Sequence, residues 1–209
     1  MMKTTYLKAV FLTACILHAG LTNAQSERKL YDLNKNDSMK NVFLDGEKAF
    51  LNERLEQQFP SLGLRKTIDN KVYDFDQANR PVIIQFGISN CAPCRAQLPS
   101  FIELSNDRRY ADVDFLYISY DDSATIMKDI ASLYHGPHDR LKIISLERDY
   151  FIYSNKPLLT YGFPTMYFID KTGLVKAITI GGSPRSMNET NKLLKTKWAS
   201  LMDLLSYNN

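Results

Sequence analysis

Cysteine is scarce: the 209 residues contain three, Cys15, Cys91 and Cys94. A domain stapled by disulfides carries more of them, spaced to join distant segments. A zinc ribbon needs four ligands, and only one Cys-x-x-Cys pair is present. Glycine and proline are also few, nine and eight, which excludes collagen-like or low-complexity organisation. Charge of one sign is not in excess, with 26 Lys and Arg against 23 Asp and Glu. No run or stripe of basic residues appears, so no nucleic-acid partner is expected. No apolar stretch reaches the ~20 residues of a membrane span. What remains is 44% hydrophobic and 23% charged, the composition of a soluble globular chain long enough for one ordinary domain plus extras.

The amino terminus has its own pattern. Lys3 and Lys8 precede an apolar run over 9–21, broken only by Thr13, His18 and Gly20, and Thr22-Asn23-Ala24 follows. That is the layout of a secretory signal peptide over residues 1–24, with the exported chain starting at Gln25. Leu12-Thr13-Ala14-Cys15 also resembles a bacterial lipobox, in which the cysteine would carry lipid. The spacing from Lys8 is short for that, and the apolar run continues past Cys15, so cleavage after Ala24 fits better. Removal of the signal leaves 24 basic against 23 acidic side chains and one cysteine pair. A soluble periplasmic protein, with no stable membrane insertion after cleavage, is expected.

Residues 25–58 are polar, but Met39, Phe43, Phe50, Leu51 and Leu55 recur at helical spacing, which predicts a helical extension. From 59 onward short strands are expected: 61–67 and 72–75 as a hairpin turning at Asp69-Asn70-Lys71, then a buried strand over 81–86 ending in the loop 87–90. Residues 91–104 read as a helix with Leu98, Phe101, Ile102 and Leu104 inward and Pro99 kinking it. A strand over 112–120 leads to Asp121, Asp122 and Ser123, which supply caps for a helix through Leu133 with Ile126 and Ile130 on one face. Strand 141–146, an uncertain linker over 147–162, and a hairpin of 165–169 with 174–180 turning at Lys171-Thr172-Gly173 follow. A last helix from near Asn188 carries Leu194, Trp198, Leu201 and Leu205. This order predicts an α/β domain over 59–209, a mixed sheet with helices on both faces.

Cys91-Ala92-Pro93-Cys94 sits where the buried strand feeds a helix. Cys91 at the helix start meets unpaired backbone N–H groups and the positive end of the dipole, which favour a thiolate and make it the nucleophile. Cys94, one turn on, is placed to resolve a mixed disulfide formed at Cys91. Pro93 has no N–H and a φ suited to a first turn. Other uses of the pair are weaker. His135 and His138 are poorly spaced to complete a zinc site, Arg95 stands where haem attachment needs histidine, and Ile88 replaces the hydroxyl residue a peroxiredoxin would want. A purely structural disulfide closing so small a loop stabilises little.

Cys91-Ala92-Pro93-Cys94-Arg95 with Leu98-Pro99, the loop Gly162-Phe163-Pro164-Thr165, and Phe168-Ile169-Asp170-Lys171-Thr172-Gly173 together resemble the TlpA/ResA-like branch of the thioredoxin superfamily, over roughly 59–209. The resemblance implies a thioredoxin-like fold with an amino-terminal hairpin, a cis Pro164 beside the cysteines, and Phe163 either touching substrate or packing. Three positions depart from the pattern: Asn90 where an aromatic often stands, Ala92 for glycine, and Gln85 where many thioredoxins bury an acid. Gln85 cannot titrate, so a general base for Cys94 must come from elsewhere.

The expected function is thiol-disulfide exchange between Cys91-Cys94 and cysteines of client proteins. Phe163 and Pro164 would bind the client, with no metal or cofactor, and a membrane or periplasmic redox partner would regenerate the pair. By resemblance reduction is favoured. A disulfide-introducing oxidase or isomerase, and a non-catalytic thioredoxin-fold binding module, stay open.

Overall fold

The protein is described from a computed structural model, which describes residues 37–77, 79–147, 159–181, 198–202 and 205. The chain divides into two compact units, 1–45 and 46–209. Of the first, 37–45 are described, as the beginning of helix α1 (Asp37–Asn52). The signal-like segment 1–24, the linker residues 148–158, and Asn188 and Leu194 of the last helix lie outside the described residues.

Within the second unit, a hairpin of β1 (Leu64–Lys66) and β2 (Val72–Asp74) precedes a five-stranded sheet. That sheet contains β3 (Val82–Phe86), β4 (Asp114–Ser119), β5 (Leu141–Ser145), β6 (Thr165–Ile169) and β7 (Val175–Ile180), in the spatial order β5-β4-β3-β6-β7. β3, β4 and β5 run parallel, while β6 is antiparallel to both β3 and β7. Strand position explains the sequence patterns. β3, β4 and β6 have neighbours on both sides and layers on both faces, and every residue in them is buried, hence their continuous apolar runs. The edge strands β5 and β7 alternate more, each with exposed or half-buried positions.

Helix α2 (Ala92–Asn106) joins β3 to β4, and α3 (Ser123–Leu133) joins β4 to β5. Both crossovers step the same way across the sheet, and right-handed connections therefore put both helices on one face. There Ile83, Phe115, Tyr117, Ile143, Met166 and Phe168 meet Leu98, Phe101 and Ile102 of α2, Ile126 and Ile130 of α3, and Trp198, Met202 and Leu205. The other face, with Ile84, Phe86, Leu116, Ile118, Ile144 and Tyr167, is covered by Phe50 of α1, Leu62 and Tyr73, with Leu51 and Leu55 packed alongside. Helical residues thus lie on both faces of a mixed sheet, the α/β architecture expected from the order of elements.

The segment after α1 is tied to the sheet edge. The Glu56 amide donates to Val175 O, the Val175 amide to Gln57 O, and the Phe59 amide to Gly173 O. Gly173 needs its φ of +87° to turn the β6–β7 hairpin. The turn is closed by Asp170, whose carboxylate accepts from the Thr172 and Leu174 amides. The first hairpin is docked by the Ile68 amide donating to Ile143 O and by Lys142, which bonds Asp114 at 2.6 Å and lies over the Tyr73 ring. Asp122, not Asp121, caps α3, accepting from the Thr125 amide at 2.9 Å. Pro99 lies inside α2, a single continuous helix.

Several carboxylates gain partners on folding. Asp69 is held down to about 2, first by Lys71 and then by Thr67. Arg109 lowers Asp107, and the Thr125 backbone and hydroxyl lower Asp122. Burial pushes Asp170 up, but the bonds from Thr172 and Leu174 outweigh it and hold it below its ordinary value. A depressed carboxyl contributes stability that is complete above its unfolded value, about 3.9 for Asp, and is lost as pH falls through the folded value. The melting temperature is therefore expected to stay level from pH 7 to 5 and to fall between about pH 4 and 2. A profile level down to pH 2 would contradict this.

Candidate functional site

The site is built at the carboxyl end of β3, where the chain leaves the sheet and turns into α2. Gly87 donates its amide to Ile118 O. A Cβ there would come within 2.7 Å of the Tyr117 hydroxyl, so the backbone passes close over β4. The Cys91 amide bonds Ile88 O, closing the turn, and the Arg95 amide takes Cys91 O as the first helical acceptor. Cys91 is the N-cap, with extended φ and ψ of −101° and 102°, and its sulfur accepts the Cys94 amide at 3.1 Å. Pro93 stands in the first turn, where its missing N–H leaves no acceptor wanting.

Cys91 and Cys94 are joined as a disulfide, with Cα atoms 5.2 Å apart. The two sulfurs differ in access: Cys91 is 9% exposed and Cys94 1%. An incoming sulfur therefore meets Cys91 first, at a helix start where anionic charge is favoured. Cys94 faces the core.

The loop 162–165, some seventy residues later, is brought here by sheet register. Thr165 opens β6 directly opposite Phe86 at the end of β3. The Phe163–Pro164 bond is cis. Pro164 is buried, its carbonyl accepts the Gly181 amide at 2.7 Å, and Thr165 Oγ1 donates to Gly162 O. On the other side of Gly181, its carbonyl accepts from Gln97 Nε2 of α2 at 3.3 Å. A chain of bonds thus links α2 to the proline loop. Phe163 is half-buried and packs edge-on against Tyr120, centroids 6.0 Å apart.

Two polar ties around the pair are not evident in the sequence. Asp121 accepts from the Ser89 amide at 2.7 Å, the Ser89 hydroxyl at 2.9 Å and the Ser119 hydroxyl at 3.0 Å. It pins the loop that presents Cys91 to the end of β4. Its place just before α3 suggested a helix cap, and nothing local pointed to a partner 32 residues away. Arg95, next to Cys94, pairs with Asp129 of α3. Tyr117, opposite Gln85 on β4, has its hydroxyl pushed up by burial and further by Asp121 and Asp129, with Arg95 opposing.

A family model described as iodothyronine deiodinase matches residues 5–128, more than half of the chain. A thioredoxin H-type from Brassica campestris is 33% identical over 61 residues, 29% of this chain and 48% of that protein. The aligned stretch thus spans about half of the plant protein's length. A proposed protein disulfide isomerase from Bacteroides thetaiotaomicron superposes with a TM-score of 0.50 at 19% identity, covering 70% of this chain and 89% of that one. A thioredoxin-family thiol:disulfide interchange protein from Chlorobium tepidum gives 0.47 at 19%, covering 68% and 95%. A secreted disulfide oxidoreductase from Mycobacterium tuberculosis gives 0.48 at 16%, covering 68% and 96%. The fold is thioredoxin-like, in line with the TlpA/ResA-like resemblance of the motifs.

Proposed function

The chain belongs to the iodothyronine deiodinase family, and on that premise, with its thioredoxin-like fold, we propose that it is a thiol-disulfide oxidoreductase that exchanges its Cys91-Cys94 pair with cysteines of client proteins. The observation that carries this is the geometry of the pair: a disulfide whose more accessible sulfur caps a helix and accepts a backbone N–H. The family description names a deiodinase. Here that chemistry would fall to the same two sulfurs in their reduced form, with the Cys91–Cys94 disulfide as the oxidised product.

Cys91 is the attacking sulfur and Cys94 the resolving one. A client strand would bind beside the cis Pro164 loop, using backbone groups at the sheet end as strand-adding ligands do, with Phe163 packed on Tyr120 as support. The signal-like leader favours work in the periplasm, where a redox partner is needed to hold the pair reduced. No metal or cofactor enters the exchange. The direction is reductive in this reading. Equilibration with glutathione of known potential tests it: a value near the thioredoxin potential of about −270 mV supports a reductase, and one near about −120 mV a disulfide-introducing oxidase. Absence of any exchange with a disulfide substrate would leave the binding-module reading.

A further inference from the structure

Gln85 is wholly buried in β3, and among the described residues neither its Nε2 nor its Oε1 has a hydrogen-bond partner. A buried amide left unpaired destabilises a fold, whereas an apolar side chain of the same size does not. A partner supplied by another redox state of the molecule would satisfy it. Strand alternation puts Gln85 on the face of Ile83, which packs with Leu98, Phe101 and Ile102 of α2, while Ile84 and Phe86 face the opposite layer. α2 returns antiparallel over β3, as a crossover between parallel strands must. From Ile83 to Gln85 is about 6.6 Å along the strand, and from Leu98 back to Cys94 is about 6 Å along the helix. Both steps lead to the same end of the sheet. Gln85 and Cys94, the sulfur with 1% exposure, therefore lie toward the same end of the layer between β3 and α2.

We propose that Gln85 is the positioning residue for the resolving sulfur: once the disulfide is opened, its Nε2–H donates to Cys94 and favours the thiolate, so that resolution proceeds with no buried acid at this position. This rests on the thiol-exchange reading. In the step concerned, Cys91 is bonded to a client sulfur, and the Cys94 thiol has lost its proton to water. The Cys94 thiolate attacks the Cys91 sulfur, the Cys91–Cys94 bond forms and the Cys91–client bond breaks. The client leaves as a thiolate that takes a proton from water. Over the two steps of the exchange, the attack by Cys91 and this one, two electrons pass to the client, and Gln85 neither gains nor loses a proton. Among the described residues, the titratable and charged groups around the pair are Tyr117 from β4, Asp121 from the loop after it, Asp129 from α3, and Arg95 and Cys91 from the α2 end. From β6 the register neighbour is Met166, which does not titrate.

The test is the pH titration of Cys94 in the protein carrying Cys91→Ala, followed by 13C-labelled cysteine. Gln85→Met keeps the length and removes the donor. It is expected to lower the Cys94 thiolate fraction about tenfold at fixed pH, a midpoint raised by about one pH unit. Gln85→Glu is expected to raise it further, because a carboxylate repels the thiolate. The Cys91 midpoint, read in Cys94→Ala, should stay put. Oxidised Gln85→Met, with both cysteines present, should melt no lower than wild type, since an orphaned amide has been removed, whereas a packing role for Gln85 would make it melt lower. Gln85→Leu serves the same purpose should the methionine variant not fold. An unchanged Cys94 midpoint, or a lower melting temperature of the oxidised variant, would overturn the proposal. Failure of wild type to exchange disulfides would instead overturn the functional reading, leaving the titration difference intact.

Discussion

Cys91→Ser is expected to reduce disulfide exchange to the uncatalysed background, whereas Cys94→Ser should still attack clients and stall as a mixed disulfide. The asymmetry follows from position. Cys91 caps α2, is the more accessible of the two sulfurs, and accepts a backbone N–H that stabilises negative charge on it. Cys94 is 1% exposed and reaches only a sulfur already held at Cys91. Without Cys94 the resolving step is lost and the covalent intermediate accumulates. Non-reducing gels of the Cys94→Ser protein should show client adducts that dithiothreitol releases, and the Cys91→Ser protein should show none. Equal trapping by the two variants would reverse or abolish the assignment of roles.

Phe101→Ala is expected to destabilise the protein by about 3 to 5 kcal/mol, the range for removing a large buried aromatic. Phe101 is fully buried on the sheet-facing side of α2. Its ring meets those of Phe115 and Trp198 edge-on, with centroids 5.6 and 6.2 Å apart. It therefore joins the helix that carries both cysteines to β4 and to the last helical segment, and an alanine leaves a cavity that three elements border. For a chain of this size the melting temperature should drop by about 6 to 20 °C, and the urea midpoint should fall with an unchanged slope. A loss below about 1 kcal/mol would show that the site collapses onto the missing ring, and that Phe101 does not anchor α2.

Much of the fold was legible in the residues themselves. β3 could be placed because a central strand covered on both faces must be an apolar run, and Pro81-Val82-Ile83-Ile84 with Phe86 is one. The β6–β7 hairpin could be placed because its turn needs a residue tolerant of positive φ, and Gly173 stands there. The helix start at Cys91 followed from a strand-to-loop change and Pro93. Other features were not legible, for a common reason. Asp121 and Asp122 are adjacent and chemically alike, and both could cap α3. Only the closing of 32 residues of chain gives Asp121 the Ser89 amide and leaves the cap to Asp122. The Gln97–Gly181 bond spans 84 residues, and no periodicity encodes it.

By itself the sequence determined the elements, the cysteine pair and its place at a helix start, because these depend on side-chain periodicity, turn chemistry and neighbours within a few residues. Strand order and register were decided only by the tertiary structure. They set Thr165 opposite Phe86, and so bring the cis Pro164 loop to the end of β3 from which the chain runs on to Cys91. They also bury Gln85 beside Tyr117 with no hydrogen-bond partner among the described residues. Such pairings depend on which surfaces the layers bury together, and one residue of slip would have turned Gln85 to the opposite face.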